Sequence, residues 1–236
     1  MQTKRKIYEV SKKLFLETGY FKVTNKQIAE MANVTHGMIR YYFKKKENIA
    51  LTMLRENYQI VSSFLLDFID NNKDPFLFFI TMDNLLNRIK NNDDKLRKFL
   101  IDISRENIDY NKTTPMNINP EYSENILKMM HTAGKYSETQ YRVFVAVIFG
   151  AAHSLQYEMD RALDLTFDEF FNEMVHLYIY MLDLKCDEKR IQSYITQSKN
   201  LSEQVWNRYP QLMDTKNYLY MSEFPEKTIA DNLLEL

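Results

Sequence analysis

Between residues 33 and 47 the chain reads Asn33-Val34-Thr35-His36-Gly37-Met38-Ile39-Arg40-Tyr41-Tyr42-Phe43-Lys44-Lys45-Lys46-Glu47. Asn33-Val34 makes a turn, and Thr35 is a natural N-cap, because its hydroxyl can accept from the first unpaired amides of a helix. The spacing predicts a helix over His36–Phe43 with Ile39 and Phe43, four apart, facing a core. Upstream, Thr24 with Gln27 three residues later forms a capping box, opening a short helix whose inner face is Ile28, Met31 and Ala32. The small Ala29 sits where two crossing helices must approach closely. Earlier still, a helix from about Lys4 to Thr18 buries Ile7, Val10, Leu14 and Phe15. Gly19 follows it where a left-handed cap costs glycine nothing. Helix, short helix, three-residue turn, short helix is the layout of a helix-turn-helix, whose last helix is short enough to enter a major groove.

The charge distribution agrees. Residues 1–50 hold eleven Lys/Arg against four Glu, a net +7, while the remaining chain carries −8, so a balanced total of −1 conceals a basic head on an acidic body. Such a split suits a polyanionic partner at one end only. The 236 residues, 45% hydrophobic and 27% charged, suffice for a sizeable core. Four Gly and five Pro are too few for a turn-rich sandwich or barrel, so helices must dominate. A lone cysteine, Cys186, excludes an intramolecular disulfide framework and fits a reducing cytoplasm. The longest apolar run, Val143 to Ala152, is about half of a bilayer span. Met1 to Lys6 has no apolar stretch after its charges and does not read as a secretory signal.

Past residue 46 the pattern is all-α. A long helix opens near Glu47 with a seam of Leu51, Leu54, Tyr58, Val61, Leu65 and Phe68, broken at Asn71-Asn72-Lys73-Asp74-Pro75. Further helices are expected over about 75–90, 94–107, 120–134, 138–164, 167–185 and 187–208, with a short one from Pro225. Two of these follow capping boxes, Ser137 with Gln140 and Thr166 with Glu169. The first is apolar all round from Val143 to Ala152, with Ala146, Gly150 and Ser154 one turn apart; the second carries Phe171, Met174 and Tyr178 on a broad apolar face. They read either as one bundle core or as a surface that also pairs with a second copy across a two-fold axis. Apolar surface on both sides of the first helix favours the homodimer.

Residues Ile7 to Ile49 resemble the DNA-binding domain of the TetR (tetracycline-repressor) family of bacterial transcriptional regulators. Leu14-Phe15, Gly19-Tyr20, Val23-Thr24, Ile28-Ala29 and Ala32 match it. Residues 34–47 follow its pattern most closely: valine, serine or threonine, any residue, glycine, any residue, isoleucine or leucine, aromatics, phenylalanine and a lysine–glutamate pair. The resemblance covers about a fifth of the chain. It implies a helix-turn-helix domain over 1–46 and a helical-bundle effector-binding and dimerisation domain over 47–236. It further implies that Thr24 and Asn25 meet phosphate at a helix N-terminus, that Thr35, Tyr42 and Lys46 hold the phosphates flanking the groove, and that His36, Gly37, Arg40 and Tyr41 approach base edges. Arg40 departs from the pattern, where an aromatic is commoner. Two roles stay open for it, bidentate pairing with guanine or a phosphate contact.

The family's effector pocket is lined from helices that here carry Met82, Ile103, Met130 and Phe144. His153 and Tyr157, one turn apart, are the most notable polar pair of the body, either satisfied core side chains or ligand contacts. The four His have no ligand-like spacing, no glycine-rich phosphate loop is present, and no cofactor or metal is implied. The resulting expectation is a DNA-binding regulator, a repressor, that holds a near-palindromic double-stranded operator as a homodimer and is released by a small-molecule effector. One alternative makes the input a protein or peptide partner, for which the fifty residues after Cys186, beyond the family's usual ending, would serve. Another is an enzyme built on the helical body.

Overall fold

The computed structural model describes residues 2–105, 137–159 and 164–213. Every regular element among them is helical: α1 (Gln2–Thr18), α2 (Asn25–Met31), α3 (His36–Phe43), α4 (Lys46–Leu65), α5 (Pro75–Asn92), α6 (Asp94–Arg105), α7 (Glu138–Met159), α8 (Phe167–Met181), α9 (Glu188–Arg208) and a 3-10 turn, Pro210–Met213. The helices expected over 120–134 and from Pro225 lie outside the described residues. No described helix is long and apolar enough to cross a membrane. The described chain divides into two compact units, residues 2–63, 86–105 and 209–213 in one and 64–85, 137–159 and 164–208 in the other.

In the first unit α1 lies close to α2 and α6, and α2 to α3. Gly19 ends α1 at φ 96, in the left-handed region where a side chain is strained, and its amide returns to the Phe15 carbonyl at 3.1 Å. Directly after it Tyr20 is fully buried, edge-on to Phe15 (centroids 5.2 Å apart), while Phe15 stacks on Phe99 of α6 at 6.0 Å. Leu96 and Ile103 bury beside Phe99. Thus α6, distant in sequence, forms the floor on which the first helix rests. The expected division at residue 46 marks the end of the three short helices, but the compact unit reaches further because this floor belongs to it.

Two inner-face assignments change. The buried face of α1 is Ile7, Tyr8, Ser11, Lys12, Leu14 and Phe15, leaving Val10 half-buried. In α2 the inward residues are Ile28, Ala29 and Ala32, with Met31 exposed. A seven-residue helix packed close to two neighbours presents only a narrow stripe, and the small Ala29 takes the place nearest them. α4 also stops at Leu65, short of Phe68, and gives way to a turn in which the amides of Phe68 and Ile69 both donate to the Leu65 carbonyl.

In the second unit Asp74 caps α5 by accepting from the Leu77 amide at 2.9 Å, with Pro75 at the first helical position where its missing N–H costs nothing. Both halves of the Thr166–Glu169 capping box form at the start of α8, and Ser137 and Gln140 exchange the same pair of bonds before α7. Phe171, Met174 and Tyr178 are buried by the chain itself; Tyr178 packs edge-on to Phe79 at 4.7 Å and donates to the Asp83 carboxylate at 3.1 Å. α9 lies close to α8 and buries Ile195, Ser198, Ser202 and Val205, with His176–Glu188 (3.7 Å) pairing at its start and Lys199–Asp168 (3.2 Å) near its middle. The first part of the segment after Cys186 is therefore core, not a detached arm.

Replacing Phe99 by Ala should cost about 3–5 kcal/mol, the range for an aromatic deleted from a packed core. Urea unfolding followed by circular dichroism checks this, and loss of structure should extend to the three short helices more than fifty residues away.

Candidate nucleic-acid interface

The turn between α2 and α3 is closed by backbone bonds from Asn33 to Glu30 and from Val34 to Ala29 (3.1 and 3.0 Å), with Asn33 at φ 49. Asparagine tolerates that left-handed conformation better than most residues. On α3 the inward side chains are Ile39 and Phe43, both buried. Geometry then dictates the other face. Thr35, His36, Gly37, Met38, Arg40 and Tyr41 are all exposed, with Tyr41 at 79%. Tyr42 is half-buried and meets the Tyr41 ring edge-on at 4.9 Å. Lys44 and Lys45 follow, also exposed.

Thr24 and Thr35 play different local parts. Thr24 is held in its capping box, accepting from the Gln27 amide while Gln27 accepts from the Thr24 amide. Thr35 has the extended backbone of an N-cap, yet its hydroxyl makes no capping bond. An exposed hydroxyl beside the positive end of a helix is suited to an anion. Asn25 is half-buried at the start of α2, its amide oxygen covered and without a hydrogen bond. Gly37 is informative for what the fold does not require. A Cβ placed there would meet only the Thr35 hydroxyl oxygen, at 3.9 Å, so nothing within the chain demands a glycine.

Lys46 departs from its expected place at a phosphate. Its ammonium donates to the carbonyls of Tyr20 and Val23 at 2.9 and 3.0 Å and lies 4.2 Å from the Tyr20 ring centroid. The charge therefore closes the connection between α1 and α2. The family resemblance that places Lys46 at a phosphate says nothing of these two carbonyls, which lie 26 and 23 residues away in sequence.

A second polar tie joins α1 to α4. Lys12 on α1 is 0% exposed and Glu56 on α4 is 4% exposed. One carboxylate oxygen of Glu56, Oε2, accepts from the Lys12 ammonium at 2.8 Å and from the Tyr8 hydroxyl at 2.5 Å. Burial first, then the charge and hydrogen bond of Glu56, push the Tyr8 hydroxyl well above its ordinary pKa, so it stays a donor. Glu9 beside them is also raised, chiefly by burial, with Lys12 pulling the other way. The available signal was a lysine and a glutamate each at an inward stripe position of its helix, Lys12 between Tyr8 and Phe15, Glu56 between Met53 and Ile60.

In the second unit the expected residues scatter. Met82 is fully buried on α5. Ile103 is buried in the first unit, on α6. Met130 and the side chains of Phe144, His153 and Tyr157 lie outside the described residues. Of the residues expected at a dimer surface, Phe171, Met174 and Tyr178 are spent on the core of their own chain and offer a second copy no area. Ala146 and Ser154 are exposed and Gly150 half-buried, with open space where its Cβ would stand. Val143 and Val147 add 57% and 44% exposed apolar side chains along α7, at three- and four-residue spacing with Ala146 and Gly150.

A helix-turn-helix domain whose third helix turns Arg40 and its polar neighbours outward and is followed by two exposed lysines is the class these features define. Residues 7–53, about a fifth of the chain, match the family model for bacterial regulatory proteins, tetR family. A 54-residue stretch is 39% identical to the HTH-type transcriptional regulator QacR of Staphylococcus aureus (strain Mu50 / ATCC 700699), covering 23% of this chain and 29% of that protein. A solved structure of the TetR family protein CprB from S. coelicolor A3(2) aligns with a TM-score of 0.45 and 17% identity, over 86% of this chain and 98% of that one.

Substitutions of the neighbouring Lys45 and Lys46 should separate cleanly. Lys46→Met is expected to destabilise the protein by about 1–3 kcal/mol through two lost charge-assisted bonds. Lys45→Ala should leave thermal melting unchanged and lower the slope of log binding constant against log salt by about one.

Proposed function

We propose that the protein is a transcriptional regulator that binds a near-palindromic DNA operator as a homodimer, represses there, and is released when a small molecule binds its helical body. The observation that carries the DNA reading is the single outward face of α3, on which Thr35, His36, Gly37, Arg40 and Tyr41 are exposed; we assign His36, Gly37, Arg40 and Tyr41 to base edges and Thr35 and Tyr42 to the flanking phosphates. Thr24 and Asn25 at the start of α2 add a second phosphate contact. Lys26, Lys44 and Lys45, all exposed, supply the sequence-independent attraction on which such binding relies. Two α3 helices of a dimer entering successive major grooves would stand about 34–36 Å apart.

Dimerisation is assigned to the α7 stripe of Val143, Ala146, Val147, Gly150 and Ser154, whose small side chains permit close approach of a second α7. The effector is assigned to the helical body, with Met82, Met130, Phe144, His153 and Tyr157 as its candidate contacts; Ile103, buried on α6 in the first unit, is left out of the site. A coupling of about 1–3 kcal/mol between the two sites suffices for a large loss of operator occupancy. A protein partner as the input draws less support, since α9 spends much of the segment after Cys186 on intramolecular packing.

Selection of bound duplexes from random DNA, followed by affinity measurement, tests the DNA reading; a protein that retains no duplex at low salt overturns it. Gly37→Ala should raise stability by about 0.5–1 kcal/mol, because alanine is the better helix residue, and yet weaken binding to the selected duplex. Sedimentation tests the dimer: Val147→Glu should halve the mass, and an unchanged mass places the interface elsewhere.

A further inference from the structure

We propose that Tyr8, Lys12 and Glu56 are positioning residues for operator reading, a buried clamp that fixes the orientation of the DNA-reading helices on α4 and so sets how strictly the dimer reads the separation of its half-sites. The inference rests on the DNA-binding dimer described above.

The geometry is specific. Tyr8 and Lys12 are one helical turn apart on α1, and both donate to the same oxygen of Glu56 on α4. All three side chains are at most 4% exposed. Lys12 also lies 5.1 Å from the centroid of the Tyr8 ring. Apolar side chains can slide past one another at little cost, whereas two hydrogen bonds converging on one buried oxygen lose strength steeply with distance and angle. A small shift of α4 along α1 would strain both bonds together. It would leave an ammonium and a carboxylate unpaired where water does not reach.

Stability alone does not account for such a cluster. Exchange of a buried ion pair for well-packed apolar residues is commonly neutral or stabilising. What an ionic pair supplies beyond that is direction. The orientation is passed outward through packing, since α1 rests against α2 and α2 against α3. Lys46 works in the same sense from the start of α4, holding the carbonyls of Tyr20 and Val23. The three short helices and the first part of α4 are therefore tied at two separated points.

The prediction concerns spacing, which a purely structural role would not move. Each base pair inserted between half-sites shifts one of them by about 3.4 Å and turns it by about 35°. The full-length protein would be tested on the duplex it selects, on the same duplex with two base pairs inserted or removed, and on an isolated half-site. Wild type should lose about tenfold or more in affinity on the altered spacings. The paired variant Lys12→Met/Glu56→Leu should melt at or above the wild-type temperature, bind the half-site equally, and lose only about threefold or less on altered spacings. Tyr8→Phe, which removes one hydroxyl, should fall between them. A paired variant that unfolds, or that keeps wild-type discrimination between spacings, overturns the clamp. Failure of wild type to bind any duplex would instead overturn the DNA reading, and wild-type indifference to spacing would overturn the dimer.

Discussion

An eight-residue helix has little stability of its own in water, since the cost of nucleating it is recovered only over a dozen residues or more. α3 exists because Ile39 and Phe43 are buried one turn apart against the rest of the first unit. That single constraint sets the rotation of the helix about its axis. Once those two side chains point inward, Thr35, His36, Gly37, Arg40 and Tyr41 have no other direction than outward. The interface is thus the complement of a small core. Its chemistry can vary without disturbing the fold, provided the inward pair is kept.

The rest of the first unit keeps that small core from rotating. Phe15, Tyr20 and Phe99 form an aromatic group joining α1 and the segment after it to α6. Gly19 makes the sharp exit from α1 that lets Tyr20 turn back into this group. Lys46 then latches the start of α4 to the same connection. Sequence, local turn and long-range packing act on one loop, and the loop in turn carries Thr24 to its place at the start of α2.

Much of this was legible in the sequence because it is local. The capping boxes at Thr24, Ser137 and Thr166 and the glycine cap after α1 depend on partners within four residues, and the inward pair of α3 shows in its four-residue spacing. What was not legible depends on distant partners. Periodicity assigns charged residues to the outside, so Lys12 and Glu56, 44 residues apart, were not seen as a pair. Lys46 is placed at a phosphate by the family resemblance, which carries no information on its bonds to the Tyr20 and Val23 carbonyls. Met31 was drawn inward by its spacing from Ile28, but a seven-residue helix covers too narrow a stripe to bury it. In the body, Phe171, Met174 and Tyr178 form an apolar face in the sequence, and their own chain buries it. A pattern shows that a face is covered, not by which chain.

The outward face of α3 is the claim on which the functional account stands, and backbone amide NMR of the labelled protein titrated with its selected duplex tests it most directly. The account predicts that the largest shifts fall at Thr24 and Asn25 and from Thr35 to Tyr42, with Ile39 and Phe43 remaining protected from solvent exchange throughout. Shifts confined to α7, α8 and α9, or exposure of Ile39 and Phe43 on binding, would contradict it.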